Sequence, residues 1–419
     1  MGESIFSLKR QPFKSLYVWL CKADLFLIRI PWWTLRNLLP AWRPRQSWPI
    51  SWCIKLGATR YIGDLSYIVG GLIDLPTAKT LRAGPGVLGL YVDGVPQYVT
   101  DKLKGWADYS GVSPTRIPGY WLHNSGSSLV MGQKPQPATD VSVKREKVLL
   151  FFHGGGYVSL SAHPDSPTSL IPRSIIASCS DASINISRSF NLEYRLSTHD
   201  PNPRENPFPA ALLDALAGYA YLINDVGFDA ADIIVVGDSA GGNLALALTR
   251  YLVEEDTKLA PPGALLLLSP WADMGHSHKE KPEGSPYANR ASDFLTPPVR
   301  LPGGGIRADY TILAFTGPQG VEFAGTNPYI SPASLYLRDE DVSFKNFPPT
   351  FITCGGGELF VDQIRTLARR MKDQMGDKVV YHEADDAIHD YIGFEWQEPQ
   401  RTTTLVHIAR WVASIQEGR

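Results

Sequence analysis

Five short apolar runs, with segments of helical periodicity between them, constrain this chain more than any other feature. The runs are VLLFF (148–152), INISRSF (184–190), IIVVG (233–237), ALLLLS (264–269) and PTFITCG (349–355), and VVYHEA reads as one more, the last strand. Between them PAALLDALAGYAYLIND (209–225), GNLALALTRYLVEE (242–255) and QIRTLARRMKDQM (363–375) carry apolar residues at helical spacings. Apolar strands alternating with helices imply a mostly parallel central sheet with helices on both faces, an α/β fold. This rhythm starts near Gly119. The 419 residues, 44% hydrophobic, can bury a large core. They divide into an N-terminal segment, 1–119, and an α/β domain, 120–419, interrupted by an irregular insertion at about 271–341. Inside the insertion HSHKEKPEGSPYANR is expected as a surface loop and RLPGGG as another.

The third strand runs into Gly237-Asp238-Ser239-Ala240-Gly241, and a helix from Ala240 follows. Gly-x-Ser-x-Gly occurs by chance in turns. At the end of a buried strand it has a physical reason. A sharp strand-to-helix turn forces the serine into a strained conformation, and only glycine flanks avoid a clash there. Ser239 would then stand exposed at the sheet edge, near the free N–H groups of the following helix.

A serine hydroxyl becomes a nucleophile when a base, held by a carboxylate, takes its proton. Of the nine histidines, those at 276 and 278 fall in the polar insertion, His407 in a terminal amphipathic helix and His382 in the last strand. His389, on the loop after that strand, can reach over the sheet edge as the base. TCGGGELFVDQ offers two acids, Glu358 straight after three glycines and Asp362 one turn further on, where a carboxylate also suits first-turn amides. The order serine, acid, histidine is that of α/β hydrolases with either acid. HGGG, His153 to Gly156, follows the first strand. Its glycines permit close approach, so Gly155 and Gly156 together with Ala240 are the expected amide donors to a tetrahedral oxyanion. Gly154 belongs to the same turn, and His153 is expected to brace it rather than act as a base.

The chain resembles the hormone-sensitive-lipase family of α/β hydrolases, which includes arylacetamide deacetylase and sterol acetyl hydrolases. The resemblance rests on HGGGYVSLSAH, EYRLSTHDPNPRENPFPAALLDALAGYAYL, IIVVGDSAGGNLALAL, LLLLSPWADM and ITCGGGELFVDQ with AIHDY, over roughly residues 145 to 415. It implies an α/β-hydrolase fold with an N-terminal cap over the acyl pocket. It also implies hydrolysis of carboxylic esters, typically of short acyl groups on hydrophobic alcohols such as a sterol or secondary metabolite, with no metal and no cofactor. The family usually has Asp-Pro-Leu-x-Asp after its seventh core strand. This chain has Glu358-Leu359-Phe360-Val361-Asp362, so position by position the resemblance makes Glu358 the acid and Asp362 the supporting residue. Thioesterases, lactonases and acyltransferases share the same acyl-enzyme. Hormone receptors of the family lose the histidine, and this chain keeps both Ser239 and His389.

Forty basic and 42 acidic residues, a formal net charge of −2, leave no electrostatic footprint for nucleic acid. The four cysteines are far apart and suggest neither a zinc site nor a disulfide framework. Asn185-Ile186-Ser187 is a glycosylation sequon inside a strand and is discounted. LYVWLCKADLFLIRIPWW is rich in apolar and aromatic residues, but Lys22, Asp24, Arg29 and Pro31 interrupt it and no secretory cleavage pattern follows. It reads as a helix over the substrate pocket or as an interfacial helix at a membrane surface. The expected location is intracellular, in the cytoplasm or on the endoplasmic reticulum membrane surface rather than secreted; no oligomeric state is implied.

Overall fold

A computed structural model describes residues 8–124, 129–135, 145–182, 184–297 and 309–417. Eight strands form one sheet: β1 (Leu88–Val92), β2 (Ile117–His123), β3 (Lys147–Phe152), β4 (Ile186–Leu192), β5 (Ile233–Asp238), β6 (Ala264–Leu268), β7 (Thr350–Gly355) and β8 (Val379–Ala384). Their spatial order is β1-β2-β4-β3-β5-β6-β7-β8. β2 runs antiparallel to both its neighbours, and β4 through β8 pair in parallel. Twelve helices are described: α1 (Phe13–Asp24), α2 (Ile30–Arg36), α3 (Ile50–Val69), α4 (Asp101–Ser110), α5 (Leu170–Asp181), α6 (Ala210–Tyr221), α7 (Ala240–Glu254), α8 (Ser285–Ala288), α9 (Tyr310–Thr316), α10 (Gly320–Thr326), α11 (Val361–Met375) and α12 (Gln400–Glu417).

The strand pleat sorts side chains into two core layers. In β3 and β5, Val148, Leu150, Phe152, Ile233 and Val235 point to the layer covered by α6, α7 and α11. Their neighbours Leu149, Phe151, Ile234 and Val236 point to the layer covered by α5 and α12. Both faces are buried, so Val148–Phe152 and Ile233–Val236 are apolar at every position, as the continuous runs predict.

The sheet also takes in residues ahead of Gly119. β1 and the first residues of β2 lie in the N-terminal segment, and the division drawn at 119/120 falls inside β2. Pro118 and Gly119 look like turn residues. The glycine is there because a Cβ would run into the Phe190 ring of β4, a reason that only the folded sheet supplies.

The N-terminal tryptophans split into two groups. Trp48 and Trp52 are buried against α5 and α12, and Trp48 donates its indole N–H to the Asp386 carbonyl at 2.8 Å. Trp19, Trp32 and Trp42 are exposed. No described helix is long and apolar enough to cross a membrane.

The HSHKEKPEGSPYANR stretch is not a surface loop throughout: Ser277, His278, Lys279, Ser285 and Pro286 are buried. The reason is Asp273, whose buried carboxylate accepts the Gly275 N–H, the Ser277 hydroxyl and the His278 ring at 2.9, 2.6 and 2.8 Å. These bonds fold the polar segment inward, and a fully bonded polar turn can be buried at little cost. RLPGGG lies outside the described residues.

Candidate active site

The site is built first on the turn from β5 to α7. Ser239 adopts φ +52° and ψ −116°, a region that costs a non-glycine residue about 1–3 kcal/mol and persists only when its surroundings enforce it. Those surroundings are close-packed backbone. A Cβ on Gly237 would overlap the Gly241 carbonyl, and one on Gly241 would overlap the Phe152 carbonyl, so both flanking glycines are sterically required. The Ser239 N–H donates to the Leu268 carbonyl of β6, and its carbonyl accepts the Trp271 N–H, both at 2.9 Å. Asp238, just before it, is fully buried. Burial and the nearby Asp390 carboxylate push its carboxyl well above the usual range.

The loop after β8 carries His389, 1% exposed. Its Nδ1 meets Glu358 Oε1 at 3.2 Å. The other oxygen of Glu358 accepts the Ser269 hydroxyl and the Gly355 N–H, each at 2.7 Å. Asp362 lies elsewhere: it accepts the Ser285 N–H at 2.7 Å and pairs with Arg365. Of the two acids, Glu358 is therefore the one brought to the histidine. Burial raises the Glu358 carboxyl, with His389 and Ser269 working against that rise.

The other ring nitrogen, Nε2, lies 3.2 Å from Asp390 Oδ2. Hydrogen-bond geometry is not met there, and no hydrogen bond joins Nε2 to Ser239. Burial disfavours a charged ring, but Asp390 and Glu358 outweigh it and hold the His389 pKa well above the ordinary histidine value. Phe294 and Phe360 close over the ring, with centroids at 5.7 and 5.0 Å.

HGGG forms the third wall. Gly155 and Gly156 have φ of +106° and +63°, and a Cβ on Gly155 would overlap the Ser159 carbonyl. A Cβ on Gly154 would sit 3.2 Å from the Ser239 Cβ, which brings this loop against the serine. Ala240 is the first residue of α7, where the backbone N–H has no intrahelical acceptor. His153 stacks on Tyr194 with ring centroids 4.4 Å apart. Burial drops its pKa to about 4, so it stays neutral and serves as a brace.

Beyond the loop, Tyr157 stacks on Phe315 of α9 at 4.1 Å. These two rings, with Phe208, Leu212, Asn243 and Tyr329, pack together beside the first turns of α7 and leave no space large enough for a water molecule. The insertion thus supplies part of the wall next to the serine.

The sequence profile for the α/β hydrolase fold matches residues 149–393, more than half of the chain. The chain belongs to the α/β-hydrolase family. It is 30% identical to an acetyl-hydrolase of Streptomyces hygroscopicus over 254 residues, 60% of this chain and 70% of that protein. It is 26% identical to steryl acetyl hydrolase 1 of Saccharomyces cerevisiae, across 58% of this chain and only 51% of the yeast protein. Human arylacetamide deacetylase-like 2 is 25% identical, over 60% and 69% of the two chains. Among solved structures, an esterase of the bacterial hormone-sensitive lipase family superposes with a TM-score of 0.57 over 88% of this chain and 99% of its own, at 21% identity; it shares the fold. The enzyme is a hydrolase of esterase type.

Three residues that contact Glu358 or His389 escape motif reading: Ser269, Asp293 and Asp390. Asp293 accepts the Leu359 N–H at 2.7 Å and the His389 N–H at 3.4 Å, tying the acid loop to the histidine loop. The one visible signal is Ser269, a polar residue ending the apolar run ALLLL just before Pro270.

Proposed function

We propose that the hydrolase is a serine esterase that works through an acyl-enzyme on Ser239, with His389 as base, Glu358 as its orienting acid, and the Gly155, Gly156 and Ala240 amides as oxyanion donors. One observation carries this reading. The strained serine and the Glu358–His389 pair hang from the same end of β6, where Leu268 accepts the Ser239 N–H and Ser269 bonds to both Glu358 and the Asp390 N–H.

As Ser239 Oγ bonds to the ester carbonyl carbon, its proton passes to His389 Nε2. The carbonyl oxygen takes the negative charge, stabilised by the three amides. Collapse breaks the carbon–oxygen bond to the alcohol, which leaves with the proton from His389. Water then repeats the sequence on the acyl-enzyme and releases the acid and free Ser239. Glu358 accepts the His389 Nδ1–H, which leaves Nε2 as the nitrogen that takes the serine proton.

The names of the acetyl-hydrolase relatives support a short acyl group. The aromatic side chains Tyr157, Phe208, Phe315 and Tyr329 beside α7 suit a hydrophobic ester. Two measurements test the reading together. An alkyl p-nitrophenyl phosphonate should add one phosphonyl group to the intact chain, mapped to Ser239 by peptide mass spectrometry. Across p-nitrophenyl esters from acetate to laurate, kcat/KM should be highest for the short chains. Labelling at another residue, or no turnover of any chain length, defeats it.

Asp390 sets a pH dependence within this mechanism. His389 must be neutral to accept the serine proton, and the carboxylates facing it (Asp390, Glu358, Asp293 and Asp238) favour its charged form. Activity should therefore rise with pH through the elevated His389 pKa. In Asp390→Asn the negative charge beside Nε2 is gone, the pKa falls, and the acid limb of the kcat/KM profile moves to lower pH. An acid limb that stays in place refutes a role for Asp390 in setting this pKa.

A further inference from the structure

The N-terminal helices carry apolar residues on two sides, and α3 covers one of them. Cys21, with Tyr17 and Val18, packs on Leu65 and Val69, the Tyr61 hydroxyl donates to the Cys21 carbonyl and to Asp24, and Trp33 of α2 lies against Gly57. The opposite side faces outward. Leu16, Trp19, Leu20, Phe26, Leu27 and Trp32 are each between 51% and 76% exposed, and five more large apolar residues up to Trp42 exceed 50%. A helix that is apolar all round is normally buried, and single exposed apolar residues need no explanation, whereas such a concentration marks a docking surface.

Charge identifies the partner. Residues 8–46 contain eight basic side chains (Lys9, Arg10, Lys14, Lys22, Arg29, Arg36, Arg43 and Arg45) against one acid, Asp24. Eight minus one gives +7, on a chain whose net charge is −2; Arg45 is turned onto Asp386 and Asn289, and without it the segment still carries +6. Asp24 is itself bonded to Arg29 at 2.5 Å. Tryptophan, leucine and phenylalanine on an outward face, within a strongly basic segment and without a spanning length, form the pattern of a helix lying in a bilayer surface. Leu25–Arg29 forms one wide helical turn through which α1 runs on into α2, and Lys22, Asp24 and Arg29 fall within that continuous stretch, so it lacks the uninterrupted apolar length of a spanning helix.

We infer that the outward face of α1, α2 and the turn to Trp42 docks the enzyme on an anionic lipid bilayer, lying in the interface rather than crossing it. The inference does not depend on the catalytic reading, and its test does not use activity as the readout.

The test is flotation of the full chain with vesicles of phosphatidylcholine plus phosphatidylserine, and with phosphatidylcholine alone. The wild type should float with the anionic vesicles and be partly released by high salt, since screening weakens the charge contribution. A variant carrying Trp19→Gln, Phe26→Gln, Leu27→Gln and Trp32→Gln should bind anionic vesicles more than about tenfold less, with its melting temperature retained because these side chains contact little of the fold. Lys22→Glu with Arg36→Glu should weaken binding to anionic vesicles and leave phosphatidylcholine binding unchanged. Wild type that stays at the bottom of the gradient with both vesicle types overturns the inference. So does a wild type that sediments as a dimer without lipid, fails to float, and becomes monomeric in the glutamine variant, which would make this face an interface between copies.

Discussion

Ser239→Ala is expected to lower kcat for p-nitrophenyl acetate by roughly 10⁶-fold, leaving only what the oxyanion donors and binding provide over the uncatalysed rate. The size of the effect follows from the residue acting as a unit with His389: without the hydroxyl there is no acyl-enzyme for the other groups to serve. Alanine keeps the Cβ, so the φ of +52° and the contacts of the turn remain, and the melting temperature should move little. The pair of measurements therefore separates chemistry from folding. A variant that retains more than about one hundredth of the wild-type rate, measured against the 10⁶ expectation, would show that another group makes the bond to the acyl carbon.

The second large effect is expected at Glu358, and it is informative because Asp362 provides an internal control. Glu358 Oε1 faces His389 Nδ1 while Oε2 takes two donors, Ser269 and Gly355. In Glu358→Gln one of the two oxygens becomes an NH₂ group. If it turns to Ser269 and Gly355 it meets donors, and if it turns to His389 it selects the wrong tautomer. Either way kcat should fall by about 10³–10⁴-fold, the scale seen when a triad carboxylate becomes an amide. Asp362→Asn keeps the Ser285 contact through its amide oxygen and loses only a pairing with Arg365 that is half exposed, so kcat should stay within about threefold of wild type. Steady-state kinetics on the two variants side by side decides the assignment. An inactive Asp362→Asn with an active Glu358→Gln would reverse it.

Much of this molecule was legible in its sequence because its core strands are buried on both faces. Continuous apolar runs such as IIVVG have few other stable solutions than a covered parallel sheet, and the glycines flanking Ser239 have no role unless the turn is as tight as the structure makes it. His389 was reachable as a candidate base because the histidines at 276 and 278 fall in the insertion, His382 in the last strand and His407 in the last helix, while His153 belongs to the HGGG turn. The edge strands were not legible: Pro118 and Gly119 carry turn chemistry, and only the Phe190 ring lying over Gly119 explains why a strand passes there.

Local pattern could bring two carboxylates to the end of β7 and no further. Glu358 and Asp362 stand four residues apart, and both lie where a strand gives way to a helix. What separates them is contacts with residues distant in the chain, Ser269 and His389 for the first and Ser285 for the second. The same holds for Asp390 beside Nε2, for Asp293 between two loops, and for the exposed face of α1 and α2, since periodicity shows that a helix is apolar but not which of its sides a neighbour covers. The sequence by itself determined the strand and helix order, the tight turn at Ser239 and the set of groups available for chemistry, because these depend on local sterics and on burial. Only the tertiary structure decided which acid meets His389, what faces its other nitrogen and which apolar side remains in water, because those contacts join segments that the chain alone does not place together.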